Sequence, residues 1–238
     1  FGDPSRAADF WELNLGRNAY IRTGEKRGMY NSVPRTHDHC TFDPPQLFGL
    51  GAPHSGTSLL TGLLQSAGLY SGDQLPAASP RNFKGYFEDT EFVRFNERLM
   101  ERLNISWYDL CNHNVSSLFA MERIPGPPKF QLELEQVLAR LNANKQWVSK
   151  DPRHCLLLPM YRQMLTNPVC IIVTRHPSDV ARSMGQLNPE IAARVSSFRL
   201  WNLYMTSTLY TCADLPRFLV KYEDLKHNPK GAVELLLR

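Results

Sequence analysis

Residues 46–64 read QLFGLGAPHSGTSLLTGLL. The opening Gln46–Gly51 is a short apolar run of strand length. From Ser58 to Leu69 the apolar residues Leu59, Leu60, Leu63, Leu64 and Ala67 recur at helical spacing. Between them lies Gly51-x4-Gly56-x-Ser58, the skeleton of a nucleotide phosphate loop. Glycines let such a backbone wrap an anion, the amides of residues 55–58 are expected to point at it, and the helix N-terminus adds about half a positive charge. The hydroxyls of Thr57 and Ser58 are further donors. Without a ligand, the same string is a glycine-rich strand-to-helix turn.

Working outward, Val169–Thr174 (VCIIVT) is apolar throughout, as a strand buried on both faces is. Trp147–Lys150 and Phe218–Tyr222 read as two further strands. Helical periodicity is expected over Thr90–Asn104, Leu132–Leu141, Cys155–Leu165, residues 177–187 and residues 190–212. The alternation predicts an α/β fold, a three-layer α/β/α sandwich around a central parallel sheet, like that of the phosphate-loop nucleoside triphosphatases. Residues 1–45 lack a sustained period and read as an N-terminal extension, with one domain over residues 46–238. His37-Asp38-His39-Cys40 reads as a polar loop, because no partner cluster follows at metal-ligand spacing.

The VCIIVT strand runs into Arg175-His-Pro-Ser-Asp-Val-Ala-Arg-Ser183. Pro177 suits the first helical position, where a missing N–H costs nothing. Ser183 then lies about two turns into that helix. The guanidinium fork of Arg175 suits a terminal phosphate. In isolation it would read as a strand-end ion pair. The two anion sites together narrow the ligand. Thr57 stands where a nucleoside triphosphatase has its lysine, and no apolar strand ends in an aspartate placed for Mg²⁺. A sulfuryl donor needs neither.

On these residues the chain resembles the sulfotransferases that use 3′-phosphoadenosine 5′-phosphosulfate (PAPS). HSGTSLL is similar to their 5′-phosphosulfate loop, with His54 in place of the usual Lys or Arg. Arg175-x-Pro-x-Asp-x-Ala-x-Ser183 matches their 3′-phosphate segment. Lys150-Asp-Pro resembles a segment whose lysine reaches the transferred sulfuryl group, and Tyr222-Glu-Asp matches a strand end taken as structural. The resemblance covers about residues 46–230 and implies that His54, Ser55, Gly56, Thr57, Ser58, Arg175 and Ser183 bind PAPS without a metal. It implies Glu88, in the segment 84–91 (KGYFEDTE), as general base and Lys150 as its catalytic companion. His154 is the alternative base. Asp89 is expected to cap the next helix. A phosphate-loop kinase and a non-catalytic PAPS-binding paralogue are the competing readings. The acceptor is expected to be a hydroxyl, with carbohydrate favoured by analogy. The family usually runs on past this point, which implies a chain cut short at Arg238.

Composition sets the outer limits. With 238 residues, 42% hydrophobic and 21% charged, the chain can bury a full core. A net charge of +4 suits an anionic ligand, and no dense basic run with interleaved aromatics calls for nucleic acid. No apolar stretch reaches membrane-span length, so no anchor is visible, although the chain begins at Phe1 and leaves an upstream anchor open. Five scattered cysteines argue against a full disulfide framework and leave the compartment open between cytoplasm and Golgi lumen. Two sequons, at Asn104 and Asn114, carry little weight alone.

Overall fold

A computed structural model describes residues 43–73, 85–109, 121 and 123–237. Most of the expected N-terminal extension, including His37–Cys40, and the second sequon at Asn114 lie outside these residues. The described chain runs β1 (Gln46–Leu50), α1 (Thr57–Ser66), α2 (Thr90–Arg102), α3 (Pro128–Asn142), β2 (Trp147–Lys150), α4 (His154–Tyr161), β3 (Pro168–Thr174), α5 (Pro177–Leu187), α6 (Pro189–Ala192), α7 (Ser197–Thr211), β4 (Arg217–Lys221), α8 (Tyr222–His227) and α9 (Pro229–Leu236). The strands form one four-stranded parallel sheet in the order β2-β1-β3-β4.

Side chains alternate across a strand with period two, so each strand feeds both faces of the sheet. Phe48, Leu50, Trp147, Cys170 and Ile172 point to one face and pack with α2, α3, α4, α5 and α7. Leu47, Val148, Val169, Ile171, Val173 and Val220 point to the other and pack with α1, α8 and α9. The result is the expected three-layer α/β/α sandwich. Burial on both faces explains why β1 and β3 read as continuous apolar runs rather than alternating ones.

Local chemistry sets the helix starts. The Asp89 carboxylate accepts from Phe92 N at 2.9 Å and caps α2, as expected. Pro177 opens α5 and Pro229 opens α9, the latter capped by Asn228 Oδ1 accepting from Gly231 N at 3.1 Å. The helix expected over residues 190–212 is two helices. Asn188-Pro189 starts the short α6, the chain turns at residues 193–196, and Ser196 Oγ caps α7 by accepting from Arg199 N at 3.4 Å.

The parallel register decides where function can sit. Gly49 pairs with Lys150, Leu50 with Ile172 and Thr174 with Lys221. All four strands therefore end at one edge, carrying Lys150, the loop from Gly51, Arg175 and Tyr222. The helix after β1 covers one face, and the helix after β3 covers the other. That divergence opens a crevice at the carboxyl ends of adjacent strands, where ligands of open α/β sheets bind.

One covalent link was not anticipated. Cys170 of β3 and Cys212 at the end of α7 form a disulfide with a sequence separation of 42. Both residues are fully buried. By the chain-entropy estimate, closing such a loop contributes about 4 kcal/mol, and native disulfides typically contribute about 2–4. The double variant Cys170→Ala/Cys212→Ala should thus lose about 2–4 kcal/mol in urea unfolding; unchanged stability would show that the bridge constrains little.

Candidate active site

Each part of the phosphate loop is held by an identifiable contact. Cys155 of α4 lies beneath it: its Sγ accepts from Gly51 N at 3.3 Å, and its thiol faces Gly51 O at 3.5 Å. Burial pushes this thiol up to about 11, which keeps the proton on sulfur. Ser55 N donates to Ala52 O at 3.0 Å, closing a tight turn. This corrects the expectation that every amide of residues 55–58 faces an anion, because Ser55 N is already used. The amides of Thr57 and Ser58 lie in the first turn of α1, where no intrahelical acceptor exists. Gly56 has φ 102, and a Cβ there would run into the Tyr222 ring. Only glycine satisfies both the left-handed backbone and that contact.

Tyr222 also joins the two expected anion sites. Its ring packs on Gly56, and the Arg175 guanidinium carbon stands 4.3 Å from its centroid. That arrangement holds a cation over an aromatic face. Arg175 NH1 donates to His54 O at 3.1 Å, and its own carbonyl accepts from Trp201 Nε1 at 3.2 Å. The phosphate loop and the end of β3 thus form one unit. Within it, Ser55 Oγ and Arg175 Nε are buried and have no hydrogen-bond partner among the described residues. Buried polar groups are almost always paired. Two open donors at neighbouring strand ends fit an anionic ligand with more than one charged group.

His54 departs from the role expected at a basic position of the loop. Its backbone is left-handed, φ 65. Its ring turns toward α5, where Nε2–H donates to Asn188 Oδ1 at 2.9 Å, leaving Nδ1 to accept from the Ser183 hydroxyl at 3.2 Å. Burial lowers the His54 pKa, the Asn188 hydrogen bond opposes this, and the Arg175 charge lowers it further. The imidazole is therefore neutral near pH 7. The ring lies beside the Arg175/Ser183 end of the site. Asn188 is a participant that sequence reading passed over; its one signal was its position before Pro189 at the helix break.

The expected catalytic pair meets across the site. Lys150, at the end of β2, is 3% exposed and forms an ion pair with Glu88, 13% exposed. Burial raises the Glu88 pKa, and the Lys150 charge opposes that rise. The segment carrying Glu88 is anchored on both sides. Phe87, φ 54, packs its ring against Gly62 of α1, where a Cβ would stand 2.9 Å from the ring. Asp89 is clamped by Arg140 at 2.7 Å, and Arg140 also holds Glu91 at 2.9 Å and Tyr70 at 3.1 Å.

His154 is fully buried among aromatic rings. Its Nε2 is 2.8 Å from Ser149 Oγ, and its Nδ1 is 2.5 Å from the Tyr161 hydroxyl. Burial pushes it down to about 4. Both ring nitrogens are spent on the core. Asp151 is likewise internal, accepting from Asn96 Nδ2 at 2.9 Å and from Arg153 N at 2.9 Å. Burial pushes its carboxyl up, but the Arg153 charge and these hydrogen bonds hold it below the usual range.

No helix among the described residues is long and apolar enough to cross a membrane. One solved structure to which the fold is similar is the sulfotransferase domain from the Synechococcus PCC 7002 olefin synthase, at 19% identity over 85% of this chain and 75% of that one, with a TM-score of 0.47. No curated protein matches the chain. A model of the sulfotransferase family matches residues 45–238, from the start of β1 through every strand of the sheet. The chain therefore belongs to the sulfotransferase family.

Proposed function

We propose that this domain moves the sulfuryl group of PAPS to an acceptor hydroxyl, with carbohydrate the acceptor class favoured by the family resemblance. The observation that carries this reading is that two buried donors, Ser55 Oγ and Arg175 Nε, on loops that leave adjacent parallel strands, have no hydrogen-bond partner among the described residues. The first-turn amides and hydroxyls of Thr57 and Ser58, with Ser55 Oγ, would hold the 5′ end of the donor. Arg175 and Ser183 would hold its 3′-phosphate. The donor supplies a sulfuryl group already joined to a phosphate leaving group, and the protein supplies position, charge and a proton acceptor.

In this reading Glu88 takes the proton from the acceptor hydroxyl as the oxygen attacks. Its ion pair with Lys150 keeps the carboxylate available despite burial. The same ammonium places positive charge where the leaving phosphate develops negative charge. His154 has no ring nitrogen to spare, so the base role falls to Glu88.

Labelled PAPS offered with a panel of hydroxyl acceptors should yield a labelled, sulfated product in the presence of a metal chelator. Glu88→Gln should keep donor binding and lower kcat by roughly 10²–10⁴-fold, the usual contribution of a positioned base. Glu88 works ionised, so kcat should rise with pH through its raised pKa. Lys150→Ala removes the charge that opposes this rise and should move the acidic limb to higher pH. Near-normal kcat in Glu88→Gln would place the base elsewhere.

A second pH effect follows from His54. A phosphate beside the ring favours its protonated form, which turns Nδ1 into a donor and frees the Ser183 hydroxyl for the ligand. A His pKa raised by the ligand strengthens binding below the free-protein value and loses that gain as pH rises through the value in the complex. Affinity for adenosine 3′,5′-bisphosphate should therefore be higher at mildly acidic than at alkaline pH, and His54→Gln should flatten the dependence. Identical profiles for the two proteins would show that His54 does not sense the donor.

A further inference from the structure

The turn that ends α2 carries Asn104-Ile105-Ser106, an Asn-x-Ser sequence without proline at its centre. Asn104 has φ 54, a left-handed conformation that asparagine adopts readily. Its backbone N–H donates to Glu101 O at 3.0 Å, and that of Ile105 to Met100 O at 3.0 Å. Ile105 is buried in the core, and Ser106 Oγ accepts from Asp109 N at 2.9 Å. One residue further on, the Trp107 carbonyl accepts from the Tyr204 hydroxyl at 2.8 Å. The turn is thus pinned on both sides of Asn104. Asn104 itself is exposed.

A second observation is independent of the first. The Cys170–Cys212 disulfide lies wholly within the core. Disulfides form and persist in oxidising compartments, and a sequon in such a protein marks a surface loop. A glycan is bulky and must leave the folded surface, so a sequon is usable only where the folded chain keeps its Asn outside. Asn104 meets that condition. It also stands at the opposite end of α2 from Asp89 and Glu88. A helix of 13 residues spans about 20 Å at 1.5 Å per residue, which separates a glycan from the candidate base.

We propose that Asn104 is an N-glycan acceptor on a domain that folds in an oxidising lumen. In the transfer, Asn104 Nδ2 bonds to the anomeric carbon of a lipid-linked oligosaccharide. The bond from that carbon to the diphosphate oxygen breaks, the lipid diphosphate leaves with the electron pair, and the amide gives up one proton. In the same compartment, Cys170 and Cys212 lose two electrons and two protons to a disulfide-bearing oxidant, which is reduced to its dithiol.

The test expresses the full chain behind a cleavable secretion leader in a eukaryotic cell and reads secreted and retained chain alike. Peptide N-glycosidase followed by peptide mass spectrometry should convert Asn104 to Asp. Ser106→Ala should abolish that conversion, and Ser106→Thr should preserve it. Unreduced digests should show the Cys170 and Cys212 peptides joined. An unmodified Asn104 peptide, or free thiols at Cys170 and Cys212, would overturn the proposal.

Discussion

The parallel pairing of β1 with β3 is the constraint on which the site depends. Leu50 sits beside Ile172, so the loop from Gly51 and the arginine after Thr174 emerge next to one another. Neither loop could serve the other if the strands were antiparallel or slipped by a residue, because a slip would also turn every core side chain to the wrong face. The helices that follow the two strands pack on opposite faces of the sheet. The crevice between them is a consequence of topology, and the phosphate loop and Arg175 are what this sequence has placed in it.

Contacts on either side fix that arrangement. Below the loop, the Cys155 thiol holds Gly51. Above it, Tyr222 rests on Gly56 and carries the Arg175 guanidinium on its ring. Trp201 holds the Arg175 carbonyl from α7, the helix that the Cys170–Cys212 bridge ties back to β3. The guanidinium proposed to meet the ligand is thereby oriented in advance, which would reduce the ordering cost of binding.

Much of this was legible in the sequence, for definable reasons. The VCIIVT run could only be a strand buried on both faces, and the glycine spacing after Leu50 could only be a tight turn into a helix. Arg175 and Ser183 were legible because a strand end and a proline-started helix fix their positions relative to each other. The illegible parts depend on contacts between residues remote in sequence. Nothing near Gly56 shows that Tyr222 will cover it, and nothing near Cys170 names Cys212 as its partner. The direction of the His54 ring depends on Asn188, in the gap between two expected helices and 134 residues away in sequence. Ser55 N was counted as a ligand donor because a loop motif does not reveal which of its amides its own turn consumes.

The central claim is that two strand-end sites hold two phosphates of one ligand. Calorimetric titration of adenosine 3′,5′-bisphosphate and adenosine 5′-phosphate against the wild type, Arg175→Ala and Thr57→Ala tests it directly. The account predicts that Arg175→Ala costs the bisphosphate about 1.5–3 kcal/mol more than it costs the monophosphate, the range for hydrogen bonds to charged groups, whereas Thr57→Ala weakens both alike. Equal affinity of the wild type for the two nucleotides, or equal losses in Arg175→Ala, would contradict it.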